Sequence, residues 1–194
     1  MALQCSFQPD GLILAGGRGQ RLGGRDKGLV NWQGQPVAAH LSALVRPLVG
    51  ELLISCNRNQ ASYQRWADRV LADAEADFPG PLAGMLAGLQ ACRSSHLLII
   101  PCDLPQLDES LLEALLALAA EQPERAVLVR TGDQWQPLLV VLPQALLPAL
   151  QTAWAAGERS PRYWLASQQP AFLDLASDDA RLFNANLPEH WGGL

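Results

Sequence analysis

The chain has 194 residues, of which 49% are hydrophobic and 17% are charged, and its formal net charge is −5. These values predict a globular protein and exclude a disordered one, and the length predicts a single domain over residues 1–194. The acidic balance and the lack of a basic run argue against nucleic-acid and membrane-surface partners.

A basic, glycine-rich loop follows the first predicted strand. The apolar run Leu12–Ala15 ends at Gly16 and Gly17, which are the length and the boundary expected of a buried strand. Four cations follow among further glycines: Arg18, Arg21, Arg25 and Lys27, the last being the only lysine in the chain. Glycines let the backbone approach an anion closely, so the loop predicts a polyphosphate site. The alternative is a solvated turn with surface arginines.

The spacing of this loop matches neither of two common phosphate-binding motifs. The P-loop needs a Gly-Lys-Ser/Thr ending, whereas here Lys27 precedes Gly28. The glycines also miss the GxGxxG spacing of dinucleotide-binding proteins. The sequence therefore predicts a third kind of anion-binding loop.

A helix and a second strand come next. Apolar residues at helical spacing predict a helix from Val37 to about Gly50, after an extended piece at 29–32 and a turn at 33–35. Residues 52–55 predict a buried strand that ends close to Asn57. Ligands bind beyond the carboxyl ends of parallel strands, so Asn57 is placed to meet a base or a ribose. The alternative for Asn57 is a cap on a helix over 60–66.

A third strand over 70–72 leads to Asp73 and a carboxylate-rich linker. Pro81 then opens a helix after Gly80, which leaves backbone N–H groups facing the strand ends. The small residues of this helix, Ala83, Gly84, Ala87 and Gly88, predict close packing on the sheet or on a ligand.

The most apolar predicted strand covers residues 96–101, and Asp103 follows its carboxyl end. A single carboxylate at that position suits Mg²⁺, which prefers few protein ligands plus phosphate oxygens and water. The alternative is a helix N-cap, but Asp108 is better placed to cap the helix predicted at 111–120.

The second half predicts strands at 126–129 and 137–142, one of them antiparallel, a helix over 146–156 ending at Gly157, and an edge strand at 172–174. Arg159 and Arg162 form a second cationic cluster, which meets either an acceptor phosphate or only solvent. The alternation of strands and helices predicts an α/β fold, Rossmann-like and mostly parallel, with helices on both faces of the sheet.

The cysteines and the amino-terminal residues carry no further signal. Cys5, Cys56, Cys92 and Cys102 form no CxxC pair, so we interpret them as reduced thiols. The first eleven residues lack the pattern of a signal peptide, and no apolar run approaches membrane-spanning length. We therefore expect a cytoplasmic protein.

Several separated motifs resemble those of nucleotidyltransferases, and most of all the MobA-type molybdenum cofactor guanylyltransferase family. The loop carries Leu14–Gly17, Arg21, Gly23–Gly24 and Asp26–Lys27 at the family's spacing, and the chain also has G-P-L-A-G at 80–84, C-D-L-P at 102–105, G-E-R at 157–159 and N-A-N at 184–186. The closing motif departs from the family's N-x-N-T-P-E-E at Leu187 and His190. The resemblance implies a three-layer α/β/α sandwich of the nucleotide-diphospho-sugar transferase type.

The same resemblance implies an activity and roles for residues. A phosphate of molybdopterin would attack the α-phosphate of GTP, with Mg²⁺ as cofactor, giving a dinucleotide cofactor and pyrophosphate. The backbone of Leu14, Ala15, Gly16 and Gly17 and the Gly80 region would hold GTP, Arg21 and Lys27 would neutralise its phosphates, and Asp103 would hold the metal. Arg159, Asn184 and Asn186 are implied for the acceptor.

Two further assignments stay open. Asp73 and Asn57 are expected to read the base or the ribose, but Asp77 is an alternative to Asp73, and the family's asparagine aligns with either Ser55 or Asn57. The nucleotide-binding half covers about 10–110 and the acceptor-binding half about 111–190, and molybdoenzyme maturation proteins are implied as partners. Rival functions are a cytidylyl- or sugar-1-phosphate nucleotidyltransferase and a non-catalytic nucleotide-binding adaptor.

Overall fold

Short apolar segments alternate with amphipathic ones along the chain, and the computed structural model forms them into strands and helices. It describes residues 7–15, 25–72 and 80–185. The strands are β1 (Asp10–Leu14), β2 (Asn31–Trp32), β3 (Gln35–Pro36), β4 (Leu52–Ser55), β5 (Arg69–Leu71), β6 (His96–Pro101), β7 (Val127–Thr131), β8 (Gln134–Pro143) and β9 (Ala171–Leu175). The helices are α1 (Val37–Val45), α2 (Gln60–Tyr63), α3 (Pro81–Ala91), α4 (Glu109–Glu121), α5 (Leu147–Ala155) and α6 (Pro161–Ser167). Single 3₁₀ turns cover Lys27–Leu29, Arg46–Leu48, Gln144–Leu146 and Ala180–Leu182.

The main sheet confirms the predicted mostly parallel arrangement. Within the described ranges it has seven strands in the order β5-β4-β1-β6-β8-β7-β9. Strand β8 runs antiparallel to both β6 and β7, and every other neighbouring pair in this sheet is parallel. The expectation that one strand of the 126–142 region is antiparallel is therefore confirmed, and β9 lies at the edge as predicted.

Helices cover both faces of the sheet, which confirms the three-layer sandwich. Helices α1 and α4 bury Leu41 and Leu112 on one face, and α3, α5 and α6 bury Leu82, Leu150 and Leu165 on the other. Strands β1, β4 and β6 are buried along their whole length. Such continuous burial is expected of parallel strands that helices cover on both faces.

Helix α3 packs closely on the centre of the sheet because two of its residues lack a side chain. A Cβ atom at Gly84 would lie 2.8 Å from Leu14 Cδ2, and one at Gly88 would clash with Leu12 and lie 3.2 Å from Leu97 Cδ2. The small residues predicted for close packing therefore meet the sheet at these two positions.

Three predicted boundaries differ from the structure. Residue 29, expected in an extended piece, lies in the turn Lys27–Leu29, because Asp26 caps that turn. The helix expected over 60–66 is only the single turn α2. The helix predicted to reach about Gly50 consists of α1 followed by the turn Arg46–Leu48.

A buried carboxylate anchors the amino end of β1, opposite the edge where the strands deliver their loops. Asp10 Oδ2 accepts hydrogen bonds from the backbone N–H groups of Arg93 at 2.7 Å and Ser94 at 3.1 Å, and Oδ1 accepts one from Glu51 at 3.1 Å. Burial by itself raises the pKa of Asp10, but these donors outweigh it and hold the pKa below its usual value.

The described residues bear on two other expectations. Cys56, Cys92 and Cys102 are reduced thiols, as predicted, while Cys5 lies outside the described residues. In the part of the chain that the structure describes, no helix is long and apolar enough to cross a bilayer.

Candidate active site

The carboxyl ends of β4, β1 and β6 meet at one edge of the sheet, where the predicted site residues were expected. The N–H of Ala15 donates to the carbonyl of Ser55 at 2.9 Å, and the N–H of Cys102 donates to the carbonyl of Leu14 at 3.1 Å. These hydrogen bonds continue the ladder one residue beyond the strands. The chain segments after β1, β4 and β6 therefore start side by side.

The lysine of the loop and the aspartate after β6 form an ion pair at this edge. Lys27 Nζ lies 3.4 Å from Asp103 Oδ2, although 76 residues separate the two in sequence. Their side chains are 20% and 25% exposed, so the pair is reachable by a ligand from solvent. An ammonium beside a carboxylate can bind a phosphate on one side and a divalent cation on the other.

The turn after Asp103 is held from two directions. The Nε2–H of His40 on α1 donates to the carbonyl of Pro105 at 3.1 Å. The N–H of Ala185 donates to the carbonyl of Asp103 at 2.9 Å, which brings the predicted closing motif against the site. Asn184, predicted for the acceptor, is exposed beside it.

Asp103 does not serve as the helix cap that was its alternative role. The cap of α4 is Asp108, whose Oδ1 accepts a hydrogen bond from the N–H of Leu111 at 2.9 Å, as predicted. The carboxylate of Asp103 is therefore available to a ligand together with Lys27.

A cluster around Asp26 fixes the turn that carries Lys27. Asp26 Oδ1 accepts a hydrogen bond from the N–H of Gly28 at 3.2 Å, and this caps the turn Lys27–Leu29. The hydroxyl of Tyr63 donates to the same oxygen, and Asn59 Nδ2 donates to Oδ2 at 3.0 Å. Sequence reasoning missed Tyr63 and Asn59; the one signal available was the Asp26–Gly28 spacing, which is typical of a capped turn.

The two candidate residues at the end of β4 differ in burial. Ser55 is 2% exposed, and its Oγ would lie 3.0 Å from a Cβ atom at Gly84, so the hydroxyl faces α3. Asn57 is half-buried two residues further on. Gly80 precedes α3 with a φ of +104°, a conformation that only glycine adopts without strain.

Arg159 lies near Gly80 but directs its guanidinium elsewhere. A Cβ atom at Gly80 would lie 3.9 Å from the carbonyl oxygen of Arg159. The guanidinium stacks on the ring of Trp154 at 3.8 Å and donates from Nη1 to the carbonyl of Trp154 at 2.9 Å. Arg162 lies over the ring of Trp135 at 5.7 Å. An acceptor role for Arg159 stays a prediction.

Other predicted site residues fall outside the described residues: Gly16, Gly17, Arg21, Asp73, Asp77 and Asn186. Among the residues that are described, no group of three or more histidine, cysteine, aspartate or glutamate side chains could hold a metal ion. Asp103 alone still fits Mg²⁺, which proteins hold through one or two carboxylates while substrate phosphates and water complete its coordination.

The thiol next to Asp103 is not an activated nucleophile. Burial, with a smaller contribution from the neighbouring Asp103 carboxylate, raises the pKa of Cys102 to about 12. The thiolate is the reactive form of cysteine, so Cys102 stays unreactive at neutral pH. The described part of the edge thus offers the charges of Lys27 and Asp103 rather than a reactive thiol.

A mostly parallel sheet with helices on both faces and a lysine–aspartate pair at its carboxyl edge defines an α/β protein with a charged ligand edge. The family described as the MobA-like NTP transferase domain matches residues 11–171, and the chain belongs to that family. Molybdenum cofactor guanylyltransferase from Pseudomonas putida (strain GB-1) is 54% identical over 178 residues, which cover 92% of this chain and 93% of that protein.

Two solved structures share the fold at low sequence identity. Molybdopterin-guanine dinucleotide biosynthesis protein A from Archaeoglobus fulgidus has a TM-score of 0.74 at 20% identity and covers 94% of each chain. 2-C-methyl-D-erythritol 4-phosphate cytidylyltransferase from Thermus thermophilus has a TM-score of 0.70 at 16% identity, over 95% of each chain. The fold is therefore common to guanylyl- and cytidylyltransferases and does not by itself select the base.

Proposed function

We propose that this protein transfers GMP from GTP to the terminal phosphate of molybdopterin or the molybdenum cofactor, in a Mg²⁺-dependent reaction that releases pyrophosphate. The relative from P. putida, which is 54% identical over 92% of this chain, is named for guanylyl transfer to this cofactor. That relative supports the choice of substrates, and the residues of this chain support the proposed mechanism.

The observation that carries the proposal is the pair formed by Lys27, in the turn Lys27–Leu29, and Asp103, which follows β6. Its atoms lie 3.4 Å apart at the carboxyl edge, where ligands bind in parallel α/β sheets. A triphosphate placed there meets an ammonium, and a metal bound to the triphosphate meets a carboxylate. Both partners are also the residues at which the family's motifs match this sequence.

In this proposal the protein acts by positioning rather than by activating a nucleophile. The acceptor phosphate is already anionic, so no general base is needed, and the barrier is lowered by aligning two anions and neutralising their charge. The backbone of Leu14, Ala15, Gly16 and Gly17 holds the nucleotide, and Arg21 and Lys27 neutralise its phosphates. Asp103 holds Mg²⁺, which supplies further neutralisation of the phosphates when it is bound.

Recognition of the base and of the acceptor is assigned to opposite halves of the chain. Asp73 accepts hydrogen bonds from the N1–H and N2–H donors of guanine, and Asn57 and Gly80 complete the nucleotide site in residues 10–110. Arg159, Asn184 and Asn186 bind the acceptor in residues 111–190. The Ala185–Asp103 hydrogen bond supports the acceptor assignment, because it places the 184–185 segment against the proposed metal ligand.

The proposal includes a cytoplasmic location and transfer of the product to molybdoenzyme maturation proteins. Reduced thiols at Cys56, Cys92 and Cys102 are consistent with a reducing compartment, since disulfides accumulate in oxidising ones.

The test is pyrophosphate release from the purified protein with molybdopterin, Mg²⁺ and each nucleoside triphosphate in turn. We expect release with GTP and none without Mg²⁺. Release with CTP instead of GTP would identify a cytidylyltransferase. Release only with a sugar phosphate as the acceptor would show that molybdopterin is not the acceptor substrate. Tight GTP binding without release under any of these conditions would support a non-catalytic adaptor.

A further inference from the structure

A buried tyrosine is directed at the turn that carries Lys27. Tyr63 is fully buried, and its hydroxyl donates to Asp26 Oδ1, the oxygen that also caps the turn Lys27–Leu29. Its ring packs edge-on against Trp66 with the centroids 6.0 Å apart. The apolar part of the side chain thus belongs to the core, while its one polar atom contacts the loop.

The loop approaches this tyrosine so closely that a side chain at position 28 has no room. A Cβ atom at Gly28 would clash with the Tyr63 hydroxyl and lie 2.9 Å from Cε1. Real Cβ atoms do not come that close, and the ring cannot retreat because it is fully buried. Gly28 therefore lets the backbone of the turn lie directly on the phenol.

The second oxygen of Asp26 is also held. Asn59 Nδ2 donates to Asp26 Oδ2 at 3.0 Å. Asn59 itself has a φ of +53°, a left-handed conformation that asparagine tolerates better than most residues. Among the described residues, Asp26 thus receives three donors: one from its own turn, one from Tyr63 and one from Asn59. We call Asp26, Tyr63 and Asn59 the loop clamp.

We propose that Tyr63 is a positioning residue for the transfer reaction, acting through Asp26 to hold Lys27 in place against Asp103 and the anionic substrate. This inference rests on the function proposed above, because it assigns Lys27 to the triphosphate. Lys27 is adjacent to Asp26 in the chain, so a fixed Asp26 carboxylate restricts the backbone from which the lysine extends. A charge positioned before the substrate arrives needs no reorganisation during the reaction.

The tyrosine is suited to this task over the whole working range of pH. Burial, together with the hydrogen bond to Asp26, raises the pKa of Tyr63 far above its usual value, so the phenol remains a donor. A phenylalanine would fill the same volume and keep the contact with Trp66. The hydroxyl is therefore separable by mutation from the packing of the ring.

A double-mutant cycle tests the proposal. Tyr63→Phe, Lys27→Ala and the double variant are compared with the unmodified protein by turnover in the pyrophosphate assay and by the dissociation constant for Mg²⁺-GTP. We expect Tyr63→Phe to lower kcat/KM about tenfold, equivalent to about 1.4 kcal/mol, while the same change in the Lys27→Ala background has less than about a twofold effect. Residues that act through each other are non-additive, whereas a general structural role would give the same factor in both backgrounds.

Two further variants complete the design. Tyr163→Phe is the matched control, because the only other tyrosine is 72% exposed and should leave turnover unchanged. Asn59→Gly removes the second donor to Asp26 while preserving the left-handed conformation, and should also lose its effect in the Lys27→Ala background. This variant keeps the test decisive if Tyr63→Phe fails to fold.

The outcomes separate this inference from the proposed function. An equal loss in both backgrounds, or no loss from Tyr63→Phe, would overturn the positioning role even if the enzyme transfers GMP. If the unmodified protein releases no pyrophosphate, the proposed function fails, and the same cycle on Mg²⁺-GTP affinity decides whether Tyr63 acts through Lys27.

Discussion

Replacing Asp103 by asparagine separates the stability of the site from its chemistry, because it removes the charge and preserves the shape. The ion pair with Lys27 has its closest atoms 3.4 Å apart, and at an effective dielectric constant of about 20 Coulomb's law gives roughly 5 kcal/mol of attraction. Desolvation and side-chain ordering offset most of it. We therefore expect a net loss of about 1 kcal/mol, which lowers Tm by about 2–4 °C in a protein of this size.

The expected effect of Asp103→Asn on turnover is much larger. The carboxylate is proposed to hold Mg²⁺ against the triphosphate, and losing one preorganised electrostatic contact of this kind costs about 3–4 kcal/mol in the transition state, or about 10²–10³ in rate. The variant should therefore be folded, nearly as stable as the unmodified protein, and almost inactive.

The assay is pyrophosphate release over a Mg²⁺ titration, with thermal unfolding measured on the same samples. Asp174→Asn is the matched control, because Asp174 also forms an ion pair, with Arg130 at 2.6 and 2.9 Å, but on the edge strand β9. It should change Tm little and leave turnover intact. Turnover of Asp103→Asn within about threefold of the unmodified protein, with the same Mg²⁺ dependence, would refute the metal assignment, since this is far below the expected loss.

Three other changes have defined outcomes. Lys27→Ala should lower turnover by about 2–4 kcal/mol in the transition state, measured as kcat/KM for GTP, and near-normal turnover would contradict its role. Gly88→Ala should lower Tm, because the added methyl group clashes with Leu12. Overpacking of this kind costs about 1–3 kcal/mol, which exceeds the gain in helix propensity of about 1 kcal/mol. A higher Tm would show that Leu12 moves aside at little cost. Asp10→Asn should lower Tm at pH 7. Because the folded pKa of Asp10 lies below its usual value of 3.8, its stabilisation is present above pH 3.8 and is lost as pH falls through the folded pKa. The difference in Tm should therefore shrink as the pH is lowered below 3.8, and a difference that stays constant down to acid unfolding would argue against this role.

Much of the fold follows from local sequence patterns. The uninterrupted apolar segment at β6 predicts a strand buried on both faces, and the alternation of such strands with helices predicts a mostly parallel sheet. Pro81 after Gly80 correctly predicts where α3 begins, and Asp108 correctly predicts the cap of α4. These signals are readable because the residues that make them are neighbours in the chain.

Other features depend on contacts that no local pattern encodes. The sequence predicts that one strand of the 126–142 region is antiparallel, but β8 proves to lie between β6 and β7 and to be antiparallel to both. The helix expected over 60–66 is a single turn, and its last residue, Tyr63, donates a hydrogen bond to Asp26, which precedes the turn that carries Lys27. Apolar residues in a short segment predict burial, but they do not identify the partner.

The sequence by itself determined the class of the protein: the glycine-rich loop with Lys27 and the strand-end Asp103 predict a phosphate-binding α/β protein, and the resemblance of its motifs indicates the nucleotidyltransferase type. Only the tertiary structure decided that these two side chains pair, and that Tyr63 and Asn59 hold Asp26 beside them. The physical reason is that a strand and its exit loop are encoded by adjacent residues. Contacts between loops depend instead on strand order and register, which emerge only when the sheet is assembled.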